Sequence, residues 1–330
     1  MKSKKTFLAI ILAIIALLPC SAADYHNPVI ASGAPDPTVI QANDGYFYLY
    51  ATEDIRNVPI YRSKNLVDWK FMETAFTDST RPNFVKDGGI WAPDINHING
   101  KYVLYYAMST WGGEWEAGIG VAISDSPTGP FKDLGSLFTS RQIAVQNSID
   151  EFYIEDGGKK YLFWGSFHGI YGIELSNDGL KIKEDSKPRQ IAGTFMEAPL
   201  IIKRKGYYYL LGSAGTCCEG DKSTYRVTVG RSRNLFGPYV DKKGQPLLDN
   251  HYEVILHKSD FVVGPGHNSE IITDKKGQNW MLYHGFLKDD PNRGRCVFLD
   301  QMLWKNGWPY FKGGVPSKTH KRPYFGNNLK

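Results

Sequence analysis

Short apolar runs separated by glycine, asparagine, aspartate and proline dominate the chain from Asn27 onward, and no segment keeps a helical period over three turns. This pattern predicts strands and tight turns. One unit recurs five times: an acidic or amide residue opens an apolar run, a glycine turn follows, and an aromatic-rich strand comes next. The five units are residues 36–50, 94–106, 150–164, 197–211 and 268–283.

The turn glycines of these units recur at intervals of 48 to 71 residues, a spacing typical of propeller blades. A propeller repeats small antiparallel sheets around a central channel, so equivalent positions of its repeats meet near one axis. A second repeated unit, seen at residues 60–66 and 229–235, predicts the third strand of each blade. The sequence therefore predicts an all-β, five-bladed β-propeller, and the absence of a linker-like segment predicts a single domain over residues 24–330.

Two features of this propeller stay open at the level of sequence. The last strand of the fifth blade comes either from Asn27–Ile30 or from the C-terminal segment before Lys330. The stretch of residues 241–263 is read as an insertion between blades four and five, which would wall off one end of a cleft and favour exo action.

The first 23 residues have the three parts of a secretory signal peptide. Lys2, Lys4 and Lys5 precede an apolar run, residues 7–18, and small residues follow up to Ala23. The run is too short to span a bilayer. Cys20 leaves lipid anchoring as an alternative, which Pro19 disfavours. We expect an exported, periplasmic or extracellular protein that is cleaved before Asp24.

Charge and cysteine content exclude several classes. The net charge of +5 includes the three lysines of the signal peptide, so the mature chain has about +2 and no basic run that would suggest nucleic acid. Cys217, Cys218 and Cys296 remain after cleavage, and an odd number is not a full disulfide framework. Whether the adjacent pair is bonded or reduced stays open.

Carboxylates recur at the start of the repeated unit. Four of the five copies place one there, Asp36, Asp94, Asp150 and Glu197, and the fifth offers His267-Asn268. Carboxylates that share a channel raise one another's pKa, so such a cluster is more typical of acid–base chemistry than of stabilisation. Asp94 is the weakest candidate because its Ala-Pro-Asp turn has an alternative structural explanation.

Five short segments, one per predicted blade, together resemble family 43 glycoside hydrolases, which are five-bladed propellers that include arabinanases, arabinofuranosidases and xylosidases. The segments are residues 34–38, 90–95, 147–150, 195–199 and 264–269. The resemblance implies that Asp36 is the catalytic base, Glu197 the general acid, and Asp150 the carboxylate that orients and tunes the acid. Such a pair suits inverting hydrolysis, in which water enters between the base and the sugar.

The resemblance also implies residues that bind ligands. His267 matches a histidine that holds a hydrated calcium or similar ion in the channel of arabinan-cleaving relatives, and no organic cofactor is expected. Trp91 and Phe167 are the expected stacking platforms for sugar. Asn147, Ser166 and Arg295 are the expected polar contacts to the substrate.

The loop of residues 217–225 resembles one found in arabinan-active members of the family. It favours an endo-1,5-α-L-arabinanase or an α-L-arabinofuranosidase that acts, as a monomer, on an oligo- or polysaccharide. A β-xylosidase or galactofuranosidase of the same family, and a catalytically silent carbohydrate-binding propeller, remain alternatives, because a fold does not determine a substrate.

Overall fold

The computed structural model describes residues 24–326 of the 330-residue chain. The predicted signal peptide, with Cys20, lies outside the described residues. Five four-stranded antiparallel sheets follow one another along the chain, and the first strand of each lines a common central cavity. The predicted five-bladed all-β propeller is therefore confirmed.

The strands are numbered in chain order, beginning with β1 (Asp24–His26) before the first blade. Blade one contains β2 (Thr38–Gln41), β3 (Phe47–Tyr50), β4 (Pro59–Ser63) and β5 (Lys70–Thr74). Blade two contains β6 (Gly89–Ile98), β7 (Lys101–Ser109), β8 (Gly118–Ser124) and β9 (Lys132–Thr139), and is followed by the single helical turn α1 (Ser140–Ile143). Blade three contains β10 (Phe152–Asp156), β11 (Lys159–Trp164), β12 (Ile170–Glu174) and β13 (Arg189–Ala192).

Blade four contains β14 (Glu197–Arg204), β15 (Tyr207–Ala214), β16 (Arg226–Ser232) and β17 (Glu253–Leu256). Blade five contains β18 (Val262–Thr273), β19 (Asn279–Leu287), β20 (Cys296–Lys305) and β21 (Trp308–Tyr310), and β22 (Thr319–Lys321) follows it. Short 3₁₀ turns lie at Gly220–Lys222, Leu247–Asp249, Pro291–Arg293 and Lys312–Gly314.

The aromatic-rich strands of the repeat are the second strands of the blades, and they are apolar on both faces because each blade packs between two neighbours. Every residue of β3 is buried, whereas the outer strand β5 of the same blade is largely exposed. Neighbouring blades meet through aromatic rings: Tyr105 of β7 stacks on Tyr153 of β10, with ring centroids 5.8 Å apart. Truncating such a buried ring to alanine costs about 3–5 kcal/mol. The core therefore lies between the blades.

Both candidate segments take part in closing the propeller. The fourth strand of blade five is β21, which pairs with the second half of β20. The N-terminal segment covers the first half: Ile30 pairs with Val297, and the Asn27 amide bonds the Leu299 backbone. β1 pairs with β22 and ties the two ends together.

The prediction that residues 241–263 form an insertion is wrong. This stretch contains β17, the outer strand of blade four, which pairs with β16. It was misread because β17 has only four residues and the preceding Leu247–Asp249 turn resembles a loop. Among residues 24–326, no helix is long and apolar enough to cross a membrane.

Candidate active site

One non-glycine residue with left-handed backbone marks the same position in all five blades. These residues are Asp36 (φ 54°), Ala92 (φ 40°), Asp150 (φ 60°), Ala198 (φ 54°) and His267 (φ 47°). This conformation is unfavourable for residues that have a Cβ, and its persistence at one site is typical of functional regions. The left-handed residue lies within the first strand of blades two, four and five and two residues before the first strand of blades one and three. In every blade, this residue or the one after it lines the axial cavity.

The left-handed residue of each blade shows which of the four carboxylates occupy equivalent positions. Asp36, Asp150 and His267 occupy equivalent positions, but Glu197 lies one residue before the left-handed residue of its blade and Asp94 two residues after. Pairing with the second strand shifts register between Trp91 and Asp94 and between Glu197 and Leu200, so side chains on the two sides of this bulge diverge. The prediction that all four carboxylates share one position is therefore wrong.

Three basic side chains surround the carboxylate of Asp36. Nη1 of Arg295 lies 3.1 Å from both oxygens, and the Nδ1 atoms of His284 and His267 lie 2.9 and 3.2 Å from Oδ1. Burial alone would raise the pKa of this carboxyl, but Arg295, followed by the two histidines, holds the pKa well below its usual range. Asp36 is therefore ionised at neutral pH, as a general base must be.

Two hydroxyl groups hold the carboxyl group of Glu197. Ser166 donates to Oε2 and Tyr225 donates to Oε1, each over 2.6 Å. Burial raises the pKa of Glu197 to about 7; the hydroxyl groups oppose this rise, and the charge of Asp36 adds to it. Glu197 therefore keeps a proton over much of the range in which Asp36 is ionised, which separates an acid from a base in one pocket.

Asp150 shares this pocket with Glu197, and its predicted role in orienting and tuning the acid stays a prediction. Burial, followed by the neighbouring Glu197 and Asp36, raises the pKa of Asp150 well above its usual range. The negative charge that raises the pKa of Glu197 is that of Asp36. Asp150 and Glu197 are thus two buried carboxyl groups in one pocket, and the charge of one disfavours ionisation of the other.

The predicted aromatic platforms lie beside the pocket. Trp91 is half-buried on β6, where Gly89 leaves room for its indole ring. The ring of Trp111, which is 82 % exposed, lies edge-on at 6.2 Å from that of Trp91. Phe167 is 37 % exposed, and its backbone N–H donates to the carbonyl of Met196, next to Glu197.

The three predicted polar contacts mainly hold other site residues. Ser166 is only 2 % exposed, and its hydroxyl group is directed at Glu197. The Asn147 amide donates to the Ser166 carbonyl over 3.3 Å. Arg295 binds Asp36 and lies 3.5 Å from Asp54. The side chains of Ser166 and Arg295 thus contact the predicted acid and base directly.

A cavity of about 20 Å³ lies on the axis, lined by residues from the first strands of all five blades. His267, Asp94, Glu270 and Glu151 contribute to its lining. Neither oxygen of Glu151 has a hydrogen-bond partner among the described residues, and the same holds for Oδ1 of Asn268. A polar cavity of this size accommodates about one water molecule.

His267 and the axial oxygens offer the nitrogen and oxygen donors that a cation would use. Burial lowers the pKa of His267 to about 4, so its imidazole is neutral at pH 7, the form that binds metal ions. Calcium prefers oxygen ligands, and the unpartnered oxygens of Glu151 and Asn268 border the same cavity. Within residues 24–326, no three acidic, histidine or cysteine side chains surround one point, so these side chains do not by themselves form a complete ligand shell.

Asp94 belongs to a separate carboxyl pair. Its Oδ2 accepts the backbone N–H of Tyr153 over 2.6 Å, and its side chain hydrogen-bonds Glu270. Burial, followed by the charge of Glu270, raises the pKa of Asp94 well above its usual range. Asp94 therefore ties blade two to blades three and five, in agreement with its low rank as a catalytic candidate.

Sequence reasoning missed two residues of the site, Tyr225 and His284. Tyr225 ends the loop between β15 and β16 and reaches Glu197, and His284 lies on β19 and reaches Asp36. His284 is the single histidine in a β19 segment, residues 280–287, that is otherwise apolar or aromatic, which was the available signal. In the same loop Cys217 and Cys218 form a disulfide, whereas Cys296 is free and buried.

The chain is similar to known glycoside hydrolases. Residues 25–309 match the model of glycosyl hydrolases family 43. The chain is 33 % identical over 290 residues to an extracellular endo-α-(1→5)-L-arabinanase of Bacillus subtilis (strain 168), covering 84 % of this chain and 87 % of the relative. It is 30 % identical over 337 residues to an extracellular exo-α-(1→5)-L-arabinofuranosidase of Cellvibrio japonicus (strain Ueda107), covering 92 % and 91 %.

Among solved structures, an α-L-arabinanase of Cellvibrio cellulosa in complex with arabinohexaose superposes with a TM-score of 0.78 at 29 % identity, covering 86 % of this chain and 96 % of that one. The chain belongs to glycosyl hydrolases family 43. It is a glycoside hydrolase built on a five-bladed propeller, and the predicted family and enzyme class are confirmed.

Proposed function

We propose that this glycoside hydrolase cleaves α-1,5-linked L-arabinan with inversion of configuration. The observation that supports the proposal most is the pairing, in one axial pocket, of a carboxylate held ionised by Arg295 with a buried carboxyl that keeps its proton. The two relatives described above act on arabinan according to their names. A β-xylosidase or galactofuranosidase has no such support.

Glu197 supplies the proton in the bond-breaking step. Its carboxyl donates to the glycosidic oxygen as the bond between that oxygen and the anomeric carbon breaks, so the leaving sugar departs as an alcohol. The hydroxyl groups of Ser166 and Tyr225 then bind the carboxylate that is left. Burial, which makes this charge costly, is what makes the proton available at neutral pH.

Asp36 activates the water that attacks the anomeric carbon. Its carboxylate takes one proton from the water while the oxygen forms the new bond on the opposite face of the sugar ring. Arg295 keeps Asp36 ionised and fixes its orientation through contacts to both oxygens. The proton gained by Asp36 and the proton lost by Glu197 balance after exchange with solvent, and the enzyme is regenerated.

A calcium or similar ion forms part of the proposal. His267 would hold it together with water, and the axial oxygens of Glu151 and Asn268 would face the hydrated ion. Such an ion would supply positive charge near the carboxyl groups of the pocket. His267 itself contacts Asp36 over 3.2 Å, and its backbone N–H donates a hydrogen bond to the hydroxyl group of Ser213.

Two further points follow from the fold and the relatives. Because β17 within residues 241–263 is the outer strand of blade four, the expected wall that would favour exo action has lost its basis, and we favour cleavage within the chain over release from an end. The two relatives are extracellular, and together with residues 1–23 this supports export. We expect the enzyme to act as a monomer.

The test is hydrolysis of linear, debranched arabinan by the purified protein, with product sizes followed over time. Early oligosaccharides of mixed length support internal cleavage, and a single short product from the outset supports release from an end. No hydrolysis of arabinan, combined with hydrolysis of an aryl xyloside, would replace arabinan by xylan as the substrate.

A further inference from the structure

Two buried rings connect the predicted acid to the predicted base. Tyr225 is 1 % exposed and His284 is fully buried. Their rings are stacked, with centroids 5.6 Å apart and planes inclined by 16°. The hydroxyl group of Tyr225 binds Glu197, and Nδ1 of His284 contacts Asp36. A continuous path of four side chains therefore runs from one carboxyl group to the other.

The fold has made room for this stack. His284 on β19 pairs with Gly266 on β18, and a Cβ at Gly266 would lie 2.2 Å from the Tyr225 ring. Any side chain at residue 266 would displace the tyrosine, since real Cβ atoms do not approach ring atoms so closely. The Gly-Pro-Gly segment, residues 264–266, thus leaves the space in which the Tyr225 ring of blade four packs against blade five.

His284 contacts Asp36 in two ways through one nitrogen. Nδ1 lies 2.9 Å from Oδ1 of Asp36 and 3.2 Å from its backbone nitrogen. An ionised carboxylate favours the tautomer with the proton on Nδ1, which donates to Oδ1. In the other tautomer Nδ1 accepts the backbone N–H of Asp36 instead, so the two contacts belong to alternative tautomers. Among residues 24–326, Nε2 of His284 has no hydrogen-bond partner. A fully buried ring that leaves one nitrogen unsatisfied is costly, so contact with Asp36 is its main polar interaction.

We propose that Tyr225 and His284 are positioning residues, which hold the acid and the base in one geometry through their stacked rings. Tyr225 acts on the orientation and proton of Glu197, and His284 on the orientation of Asp36. The inference rests on the acid and base roles proposed above. It explains how carboxyl groups on blades one and four keep a fixed relation, although the two blades are not neighbours in the ring.

The first test replaces Tyr225 by phenylalanine, which keeps the stacked ring and removes the hydroxyl group. Besides Tyr225, the groups that face Glu197 are Ser166, Asp36, Asp150 and Arg295, and all of them are unchanged. The loss of one donor to the ionised form raises the pKa of Glu197 by about one unit. We expect kcat to fall roughly tenfold with little change in KM, and the basic limb of the pH profile to move upward.

The matched control is Tyr239→Phe. Tyr239 is also 1 % exposed in blade four, and its hydroxyl group donates to the carbonyl of Leu235 over 2.7 Å. Both variants lose one buried hydroxyl group and a similar amount of thermal stability. The Tyr239 variant should leave the pH profile and kcat unchanged. Identical behaviour of the two variants would overturn the role of Tyr225.

The second test compares His284→Phe with His284→Asn. Phenylalanine keeps a ring for the stack and removes the donor to Asp36, whereas asparagine places an amide N–H near the position of Nδ1. We expect kcat of the phenylalanine variant to fall roughly tenfold and the asparagine variant to recover part of it, with KM similar in both. Equal activity, or better activity with phenylalanine, would overturn the role of His284.

A titration that needs no substrate separates this inference from the proposed function. NMR of ¹³C-labelled glutamate carboxyl groups follows the protonation of Glu197 in wild type and in Tyr225→Phe. An upward shift of about one pH unit in the variant supports the inference even if arabinan is the wrong substrate. An unchanged titration contradicts it even if arabinan is cleaved.

Discussion

Replacing Ser166 by alanine should move the basic limb of the pH profile to higher pH. Ser166 donates to Oε2 of Glu197 over 2.6 Å, and Glu197 has a pKa raised to about 7 by burial. The hydroxyl group stabilises the ionised form, so removing it favours the protonated form and raises this pKa. Glu197 then remains an acid at higher pH.

The size of the shift follows from the hydrogen bond. A hydrogen bond to a charged group contributes about 1.5–3 kcal/mol, and one pKa unit corresponds to about 1.36 kcal/mol, so complete loss would raise the pKa by about 1–2 units. Water that enters the space left by the hydroxyl group restores part of the interaction. We therefore expect a shift of about one unit, from about 7 to about 8.

The assay is kcat/KM on debranched arabinan at closely spaced pH values, because this ratio reports the ionisations of the free enzyme. Ser63→Ala is a matched control: Ser63 in blade one is likewise 2 % exposed, and its hydroxyl group contacts Asn65. The control should keep the wild-type profile. A basic limb in Ser166→Ala that coincides with wild type, or moves to lower pH, would refute the assignment of Glu197 as the acid.

Four further outcomes test the remaining assignments. The kcat of Glu197→Gln should fall by several orders of magnitude on arabinan but far less on an aryl arabinofuranoside, whose phenol leaves without protonation. The kcat of Asp36→Asn should fall on both substrates. Similar losses in both variants on both substrates would contradict the division of roles. Because the pKa of Glu197 is raised from 4.5 to about 7, its contribution to stability is complete below pH 4.5 and is lost as the pH rises through 7. Unfolding measured at pH 5 and pH 8.5 should therefore show Glu197→Gln gaining up to roughly 3 kcal/mol relative to wild type at the higher pH, and parallel curves would disprove the shift. Proton NMR of the first anomer formed should show the β-configured arabinofuranose product from the α-linked substrate, and retention would exclude Asp36 as a base. Calcium should raise the melting temperature of wild type more than that of His267→Gln, with reversal by a chelator, and equal shifts would place the ion elsewhere.

The sequence predicted the blades because their signal is local. An aromatic-rich strand after a glycine turn can be recognised from its own residues, without knowledge of its neighbours in the sheet. The second strands of the blades all lie where the repeat predicted them: β3, β7, β11, β15 and β19. The short outer strand β17 was missed for the opposite reason: its four residues pair with β16 through a register shift, and little in their sequence distinguishes them from a loop.

The candidate site was predicted in part. Asp36, Asp150 and Glu197 do share one pocket, and Arg295 and Ser166 lie in it, but as partners of the base and the acid. A resemblance between short segments identifies which residues belong to a site. It does not say which atoms they contact, and the roles of Ser166 and Arg295 toward a sugar remain predictions.

By itself, the sequence determined the number of blades and the place of their second strands, since the repeat recurs at intervals of 48 to 71 residues. The resemblance between short segments identified the chemical groups that converge on the axis. Only the tertiary structure decided the state of those groups. The register shift in β14 separates Glu197 from the position that Asp36 and Asp150 occupy in their blades. Tyr225 and His284, distant in sequence from both carboxyl groups, supply their contacts. Protonation depends on burial and on charges a few ångströms away, and both arise only when five blades close around one axis.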